Sequence, residues 1–288
     1  MTATTPGRTD SLVDVVGLSV GHHHELDGDA TLGSGAATGC TVVLAPHGAT
    51  GAVDVRGGGP GTRETDLLDP SHSVRRVHAI VLTGGSAYGL AAADGVMRWL
   101  EEHGHGIAMG EPDQVVPIVP AAVIFDLPVG DWRTRPTAEF GYRAADSASH
   151  TVLSGSVGAG VGARAGALKG GVGTASVVVT DGPAKGITVK AALRRVAVAG
   201  HDGLARAIRP AHSPLDGDTI FALSTGIHPV HHPPGVPDAF PPDLPVVDAV
   251  CTAAAEVVEK AIVDAVLSAT PVAGIPTYRE LFPSALRS

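Results

Sequence analysis

The core of this chain has to be built almost without aromatic rings: Phe, Trp and Tyr make up 3% of it, while glycine fills 38 of 288 positions and proline 22. Burial must therefore come from Val, Ala, Leu and Ile on backbones that approach one another closely, with frequent tight turns between them. Hydrophobic residues at 44% and charged residues at 17% give a globular balance, far from that of a disordered chain. The length suffices for one large domain with a substantial core, and residues 1–288 are expected to form it. The formal charge of −9 comes without a basic stripe or interleaved aromatics, which argues against nucleic acid as a partner. Cys40 and Cys251 sit in apolar runs, as reduced core cysteines do. Met1–Asp10 has no apolar leader core and no stretch reaches membrane-spanning length, so a cytoplasmic protein with no membrane partner is expected.

Hydrophobic periodicity places several elements. Cys40–Ala45 and Gly51–Val55 read as two strands joined by a turn at Pro46-His47-Gly48. Val77–Leu82, Ala121–Leu127, Val177–Thr180 and Thr219–Leu223 read as further strands. A helix is expected from about Ala87 to His103, with Leu90, Val96, Met97 and Leu100 on one side. Val247–Leu267 carries the clearest helical period, with Asp248, Glu256, Glu259, Lys260 and Asp264 on its polar face. The Pro-rich stretch His228–Pro245 reads as a surface connection. Clustered strands with long helices between and after them imply layered packing of helices on sheets.

Few residues carry chemistry by their pattern. Lys169 is a lone cation in the glycine-dense run Gly155–Gly173, where burial would lower its pKa and fit it to accept a proton or stabilise charge. Gly158-Ala-Gly160 lacks the strand and helix that a dinucleotide fingerprint requires. The turn Thr83–Gly89 joins a strand to a helix and could hold a carboxylate or an oxyanion on its amides. Within it Ser86 resembles a nucleophile elbow, but Tyr88 stands where the second glycine belongs, and helix capping is the simpler role. Asp216-Gly217-Asp218 sets two carboxylates around a glycine just before a strand, suited to orienting a base or an amine and equally to making a turn. In His22-His23-His24 adjacent side chains do not point the same way and no acidic or cysteine cluster accompanies them, so no metal site is expected.

In order along the chain stand Gly51-Ala-Val-Asp-Val-Arg-Gly-Gly, Thr62-Arg-Glu-Thr-Asp-Leu-Leu, Leu82-Thr-Gly-Gly-Ser-Ala-Tyr-Gly-Leu and Ala122-Val-Ile-Phe-Asp-Leu-Pro. Lys169-Gly-Gly-Val-Gly-Thr-Ala-Ser, His201-Asp-Gly-Leu-Ala-Arg and Leu215-Asp-Gly-Asp-Thr-Ile-Phe-Ala follow. Together they closely resemble the L-aminopeptidase/D-alanine esterase-amidase family, which includes β-peptidyl aminopeptidases and hydrolases of nylon oligomers. The resemblance implies an α/β fold, a layered α-β-β-α sandwich assembled as a homo-oligomer. It also implies a cofactor-free hydrolase of small peptides, amino-acid amides or short amide oligomers. Its members cut their own backbone before a Ser or Thr, whose freed α-amine then serves as base for its own hydroxyl. Lys169 matches the family's active-site lysine, Asp216 and Asp218 its acidic pair, and Gly85, Ser86 and Tyr88 a segment near its substrate pocket.

One departure is large. Family members carry several dozen further residues between the counterparts of Leu193 and Arg194, including an active-site asparagine and the self-cleavage junction. Here Gly186–Leu193 runs straight into Arg194–His201, and a core strand of the sandwich is expected to be lost with the missing segment. Gly173-Thr174 has the form of a cleavage junction, which offers Thr174 as a fallback nucleophile, though it matches a different segment of the family and stands five residues from Lys169. Two alternatives follow: an inactive relative acting by binding or oligomerisation, and a serine hydrolase using Ser86 with Asp126 and His201 or His212.

Overall fold

The computed structural model describes residues 3–111, 113–182, 184, 193–227 and 235–286. Its centre is strand Ala37–Val55, which pairs with three others. Ser19–Leu26 runs antiparallel along its first half and Thr219–Ser224 antiparallel along its second. Val77–Thr83 lies antiparallel on it as well. Beyond Val77–Thr83 come Ala121–Val123, parallel, and then Thr62–Arg63, antiparallel, completing a six-stranded sheet.

The central strand corrects the sequence reading, which broke it into Cys40–Ala45 and Gly51–Val55. Pro46-His47-Gly48 makes no hairpin but a shift of register between Leu44 and Ala49 against Val77–Thr83. Gly48 takes φ +79, and the Arg76 guanidinium donates to the His47 and Gly48 carbonyls at 3.3 and 3.1 Å. The irregularity bends the strand without ending it, because neighbours continue on both sides of it. Two further elements fall short of expectation. Helix Ala87–His103 is split into Ser86–Gly89 and Ala92–Glu102, and strand Ala121–Leu127 stops at Val123. The rest follows the period closely, with Val177–Val179, Thr219–Ser224 and helix Leu244–Leu267. Of the expected His228–Pro245 connection, residues 228–234 lie outside the described residues.

Side-chain alternation along the central strand feeds two cores. Cys40, Val42 and Leu44 pack with Val81, Val96, Leu100 and Phe140 under helices Ala92–Glu102 and Ala138–Asp146. Val43, Ala45 and Ala49 join Val13, Val20, Ile80 and Ile118 in the other. Helix Leu193–Ala207 closes over Ala52 and Ala222 and packs along helix Leu244–Leu267. Apart from the six-stranded sheet, Thr4–Pro6 pairs with Val177–Val179 beside helix Leu244–Leu267. Cys40 is buried and Cys251 half-buried, both free, and among the described residues no helix is long and apolar enough to cross a membrane.

Glycine is what brings these layers together. A Cβ on Gly95 would lie 1.6 Å from the Ala138 carbonyl oxygen, and one on Gly141 1.8 Å from that of Ala92. The two helices therefore touch backbone to backbone. Gly95→Ala should destabilise the protein by about 2–4 kcal/mol through overpacking, while Gly28→Ala, at a site with open space around it, should stay within about 0.5 kcal/mol. Urea unfolding of the two variants measures the difference.

Candidate active site

The residues singled out by sequence fall into three places. The first is a buried pocket of charge around Lys169, whose side chain is wholly inaccessible. Its Nζ donates to the carbonyls of Gly160 at 2.6 Å, Ala163 at 3.0 Å and Gly170 at 2.6 Å. All three ammonium protons are thereby used to pin the glycine-rich loop. Burial pulls the lysine down from 10.5 to about 8, opposed by the charge of nearby Asp126. Asp126 is itself buried, and burial raises its pKa against hydrogen bonds from the Gly85 amide and the Thr38 hydroxyl. Its Oδ1 accepts from Gly85 N at 2.5 Å and its Oδ2 from Thr38 Oγ1 at 2.7 Å. The turn that could hold a substrate carboxylate thus already holds the chain's own. A Cβ on Gly84 would lie 2.0 Å from Asp126 Oδ2, so only glycine admits the carboxylate there.

Ser86 follows Gly85 in the left-handed region at φ +52, half-buried, with its amide donating to Ile124 O at 3.0 Å. Gly85, not Ser86, takes the N-cap position. Tyr88 is exposed beneath the Arg135 guanidinium, 3.9 Å from the ring centre.

The second place is the loop before strand Thr219–Ser224. Asp216 Oδ2 accepts the Ser213 amide at 2.7 Å, and Asp218 Oδ2 accepts both the amide and the Nδ1 of His212, at 2.8 and 2.7 Å. The acidic pair therefore shapes this loop, and Asp218 also ties it down, its carbonyl accepting from Arg56 N at 2.9 Å. His212 sits at φ +61 with its ring 4.8 Å from that of buried His201. His201 Nε2 approaches the Asp54 carbonyl at 3.2 Å and its carboxylate at 3.4 Å, and Asp54 is held by Arg56 at 2.6 Å. Burial lowers the His201 pKa, with Asp54 opposing. Both histidines are thus engaged with Asp54 and Asp218, and Asp126 with Gly85 and Thr38. The Ser-His-Asp grouping around Ser86 is not brought together.

The third place is Thr174. It lines an open cavity of about 490 Å³ together with Ser154, His150, Lys260 and Asp264. Its amide donates to Asp264 Oδ2 at 3.0 Å, and its Oγ1 accepts from Leu12 N at 2.8 Å. Asp264 also accepts the hydroxyls of Ser154 and Ser268. Nothing in the sequence announced Asp264 or Asp54 as a partner: Asp264 reads as one more residue on a polar helix face, and Asp54 as an outward position on a strand. Among the described residues no group of three His, Cys, Asp or Glu is arranged to hold a metal ion.

Solved structures share this fold. The L-aminopeptidase D-Ala-esterase/amidase of Ochrobactrum anthropi, whose structure is described as a variant of the Ntn hydrolase fold, superposes with a TM-score of 0.75 at 20% identity, covering 98% of this chain and 96% of that one. A Burkholderia β-aminopeptidase gives 0.73 at 22% identity, covering 99% and 95%. The chain matches the model of peptidase family S58 over residues 10–193 and 187–279, and it belongs to that family of hydrolytic enzymes. An uncharacterized aminopeptidase of Mycobacterium tuberculosis is 51% identical over 345 residues, covering 97% of this chain and all of the relative. A 6-aminohexanoate-oligomer endohydrolase of Paenarthrobacter ureafaciens is 34% identical over 162 residues, 56% of this chain and 40% of that one. An alignment of 345 residues exceeds the 288 of this chain, so the mycobacterial relative holds residues that are absent here. The family match comes in two segments that overlap at 187–193, next to the gap expected between Leu193 and Arg194. Its function is of the peptidase/amidase type.

Lys169→Met should cost about 2–4 kcal/mol of stability, since three carbonyls lose a charged donor. The native lysine releases its proton near pH 8 and the unfolded one near 10.5. Between those values the unfolded state holds more protons, so this lysine adds stability as pH rises. The gap between wild type and Lys169→Met in urea unfolding should therefore widen from pH 8 to 10.5.

Proposed function

We propose that the chain hydrolyses small peptides, amino-acid amides or short amide oligomers through a hydroxyl nucleophile at a self-generated N-terminus, and that Thr174 is this residue. Family membership supports an amide substrate, and the name of the Paenarthrobacter relative supports short oligomers within the class. The observation that carries the reading to a residue is the Gly173-Thr174 junction beside the cavity, with the Thr174 nitrogen 3.0 Å from the Asp264 carboxylate. In self-cleavage Thr174 Oγ1 attacks the Gly173 carbonyl carbon, and its proton passes to the departing amide nitrogen. Water then hydrolyses the ester, leaving a Gly173 carboxylate and a free Thr174 hydroxyl and α-amine. An α-amine titrates at about 7.7–8.0, so near neutrality it can take the hydroxyl proton during attack on substrate. Asp264, already bonded to this nitrogen, orients it. Lys169, Asp216 and Asp218 contribute as organisers of the loops they bond, and Gly85, Ser86 and Tyr88 border substrate.

The two-segment family match and the longer relative favour a second reading. In it the chain keeps the family body without the nucleophile segment, and it acts by binding amides or by associating into homo-oligomers.

Intact mass, N-terminal sequencing of fragments and turnover of amino-acid p-nitroanilides separate the two. Two co-purifying pieces, the smaller beginning at Thr174, with cleavage and turnover both abolished in Thr174→Ala, are the expected result. A single 28.9 kDa species without turnover overturns the first reading and leaves the second.

A further inference from the structure

A separate cavity of about 310 Å³ opens over the second half of the central strand, and it shares no lining residue with the cavity at Thr174. Its floor is apolar, formed by Leu67, Leu68, Val77, Ile118 and Leu193. Gly51 keeps the floor deep: a Cβ there would stand 3.2 Å from the Val77 methyls and 3.3 Å from Leu68 Cδ2. The rim has the opposite character. Arg75, Arg76 and Arg194 line it against a single carboxylate, Asp69. That carboxylate is already satisfied, by the Ser71 amide and hydroxyl at 2.9 and 2.7 Å and by Arg194 at 3.2 Å. Arg76 is turned toward the His47 and Gly48 carbonyls, while exposed Arg75 has no ion-pair partner among the described residues. Helix Leu193–Ala207 begins at the mouth, and the positive end of its dipole adds to the same field. Three arginines around one pocket are a local excess in a chain whose formal charge is −9.

We propose that this cavity is a binding site for a small amphipathic monocarboxylate, an unbranched acyl chain on the apolar floor with its carboxylate at Arg75. An apolar pocket of this size with a few convergent polar groups at its edge is the usual form of a small-molecule site. The chain contributes burial, and the guanidinium, with its fork of donors, sets orientation and sign. Because the rim is exposed, the charged part of the affinity is screened by salt.

Octanoate is the probe, with octylammonium as the same body of opposite charge and acetate as the anion without the body. In amide-resolved NMR titrations octanoate should shift Gly51 and Val77, with a Kd on the order of 1 mM or tighter. Octylammonium and acetate should leave both unshifted. Arg75→Glu alters a side chain free of structural bonds, so the variant should keep the wild-type Tm, and its octanoate Kd should rise about tenfold. No octanoate shift at Gly51 and Val77, equal binding of octylammonium or acetate, or an unchanged Kd in Arg75→Glu would each overturn the assignment. None of these readings depends on self-cleavage or turnover.

Discussion

A single buried ammonium organises the part of the chain least able to organise itself. The run from Ser154 to Gly173 is rich in glycine and buries few side chains, Ala159 and Val161 among them, so the hydrophobic effect alone selects its path weakly. Lys169 selects one by gathering the carbonyls of Gly160, Ala163 and Gly170 on its Nζ. Burial works against the charge, as the drop from 10.5 to about 8 records, which corresponds to roughly 3 kcal/mol. The hydrogen bonds to three carbonyls favour the charged form, and the lowered pKa is what remains after they have offset part of the desolvation. Beneath lies Asp126, whose carboxylate bonds the Gly85 amide and the Thr38 hydroxyl. The lysine and the aspartate thus connect the glycine-rich loop, the turn after strand Val77–Thr83 and the start of the central strand. A shorter or branched side chain at 169 could not reach three carbonyls, and arginine would bring a planar fork where a compact point donor is required.

How much of this was legible depends on range. Strand Thr219–Ser224 and helix Leu244–Leu267 show in the sequence because local period and final burial agree. Strand Ala37–Val55 does not, since Pro46 and Gly48 send a local turn signal that pairing with Ser19–Leu26, Val77–Thr83 and Thr219–Ser224 overrides. The helix expected across 87–103 is interrupted after Gly89, where the Leu90 and Ala91 amides bond three residues back, to the Ala87 and Tyr88 carbonyls. The site residues divide in the same way. Lys169 stands out as a lone cation among glycines, and its buried state with a lowered pKa follows from that. Its three acceptors are backbone atoms, which carry no residue-type signal. Asp216 and Asp218 are visible as a motif, yet their partners are the amides of Ser213 and His212, and such a bond can be seen only in the fold.

The engagement of these carboxylates does not set a structural role against a chemical one. A carboxylate that accepts two bonds from one histidine, as Asp218 does, is held in a fixed place, and fixed placement is what a catalytic group requires. The groups so held bond to different loops. Lys169 faces the glycine loop, the acidic pair faces the loop at 212–218, and Thr174 faces Asp264.

The last third of the chain is closed by contacts among its own small residues. Helix Leu193–Ala207 sets Leu193 and Ala197 on Ala52 and Ala222. Gly203 brings it so close to helix Leu244–Leu267 that a Cβ there would lie 2.1 Å from the Ala255 carbonyl. Thr219–Ser224 is paired through its whole length to Thr50–Val55. Each of these joins residues present in the chain to one another. The same small-residue economy that leaves the chain nearly free of aromatics therefore makes its sheet and helix pair self-sufficient. A core assembled from a few large rings would have lost an anchor with any deleted strand, whereas one built on close backbone approach loses only the neighbours of that strand.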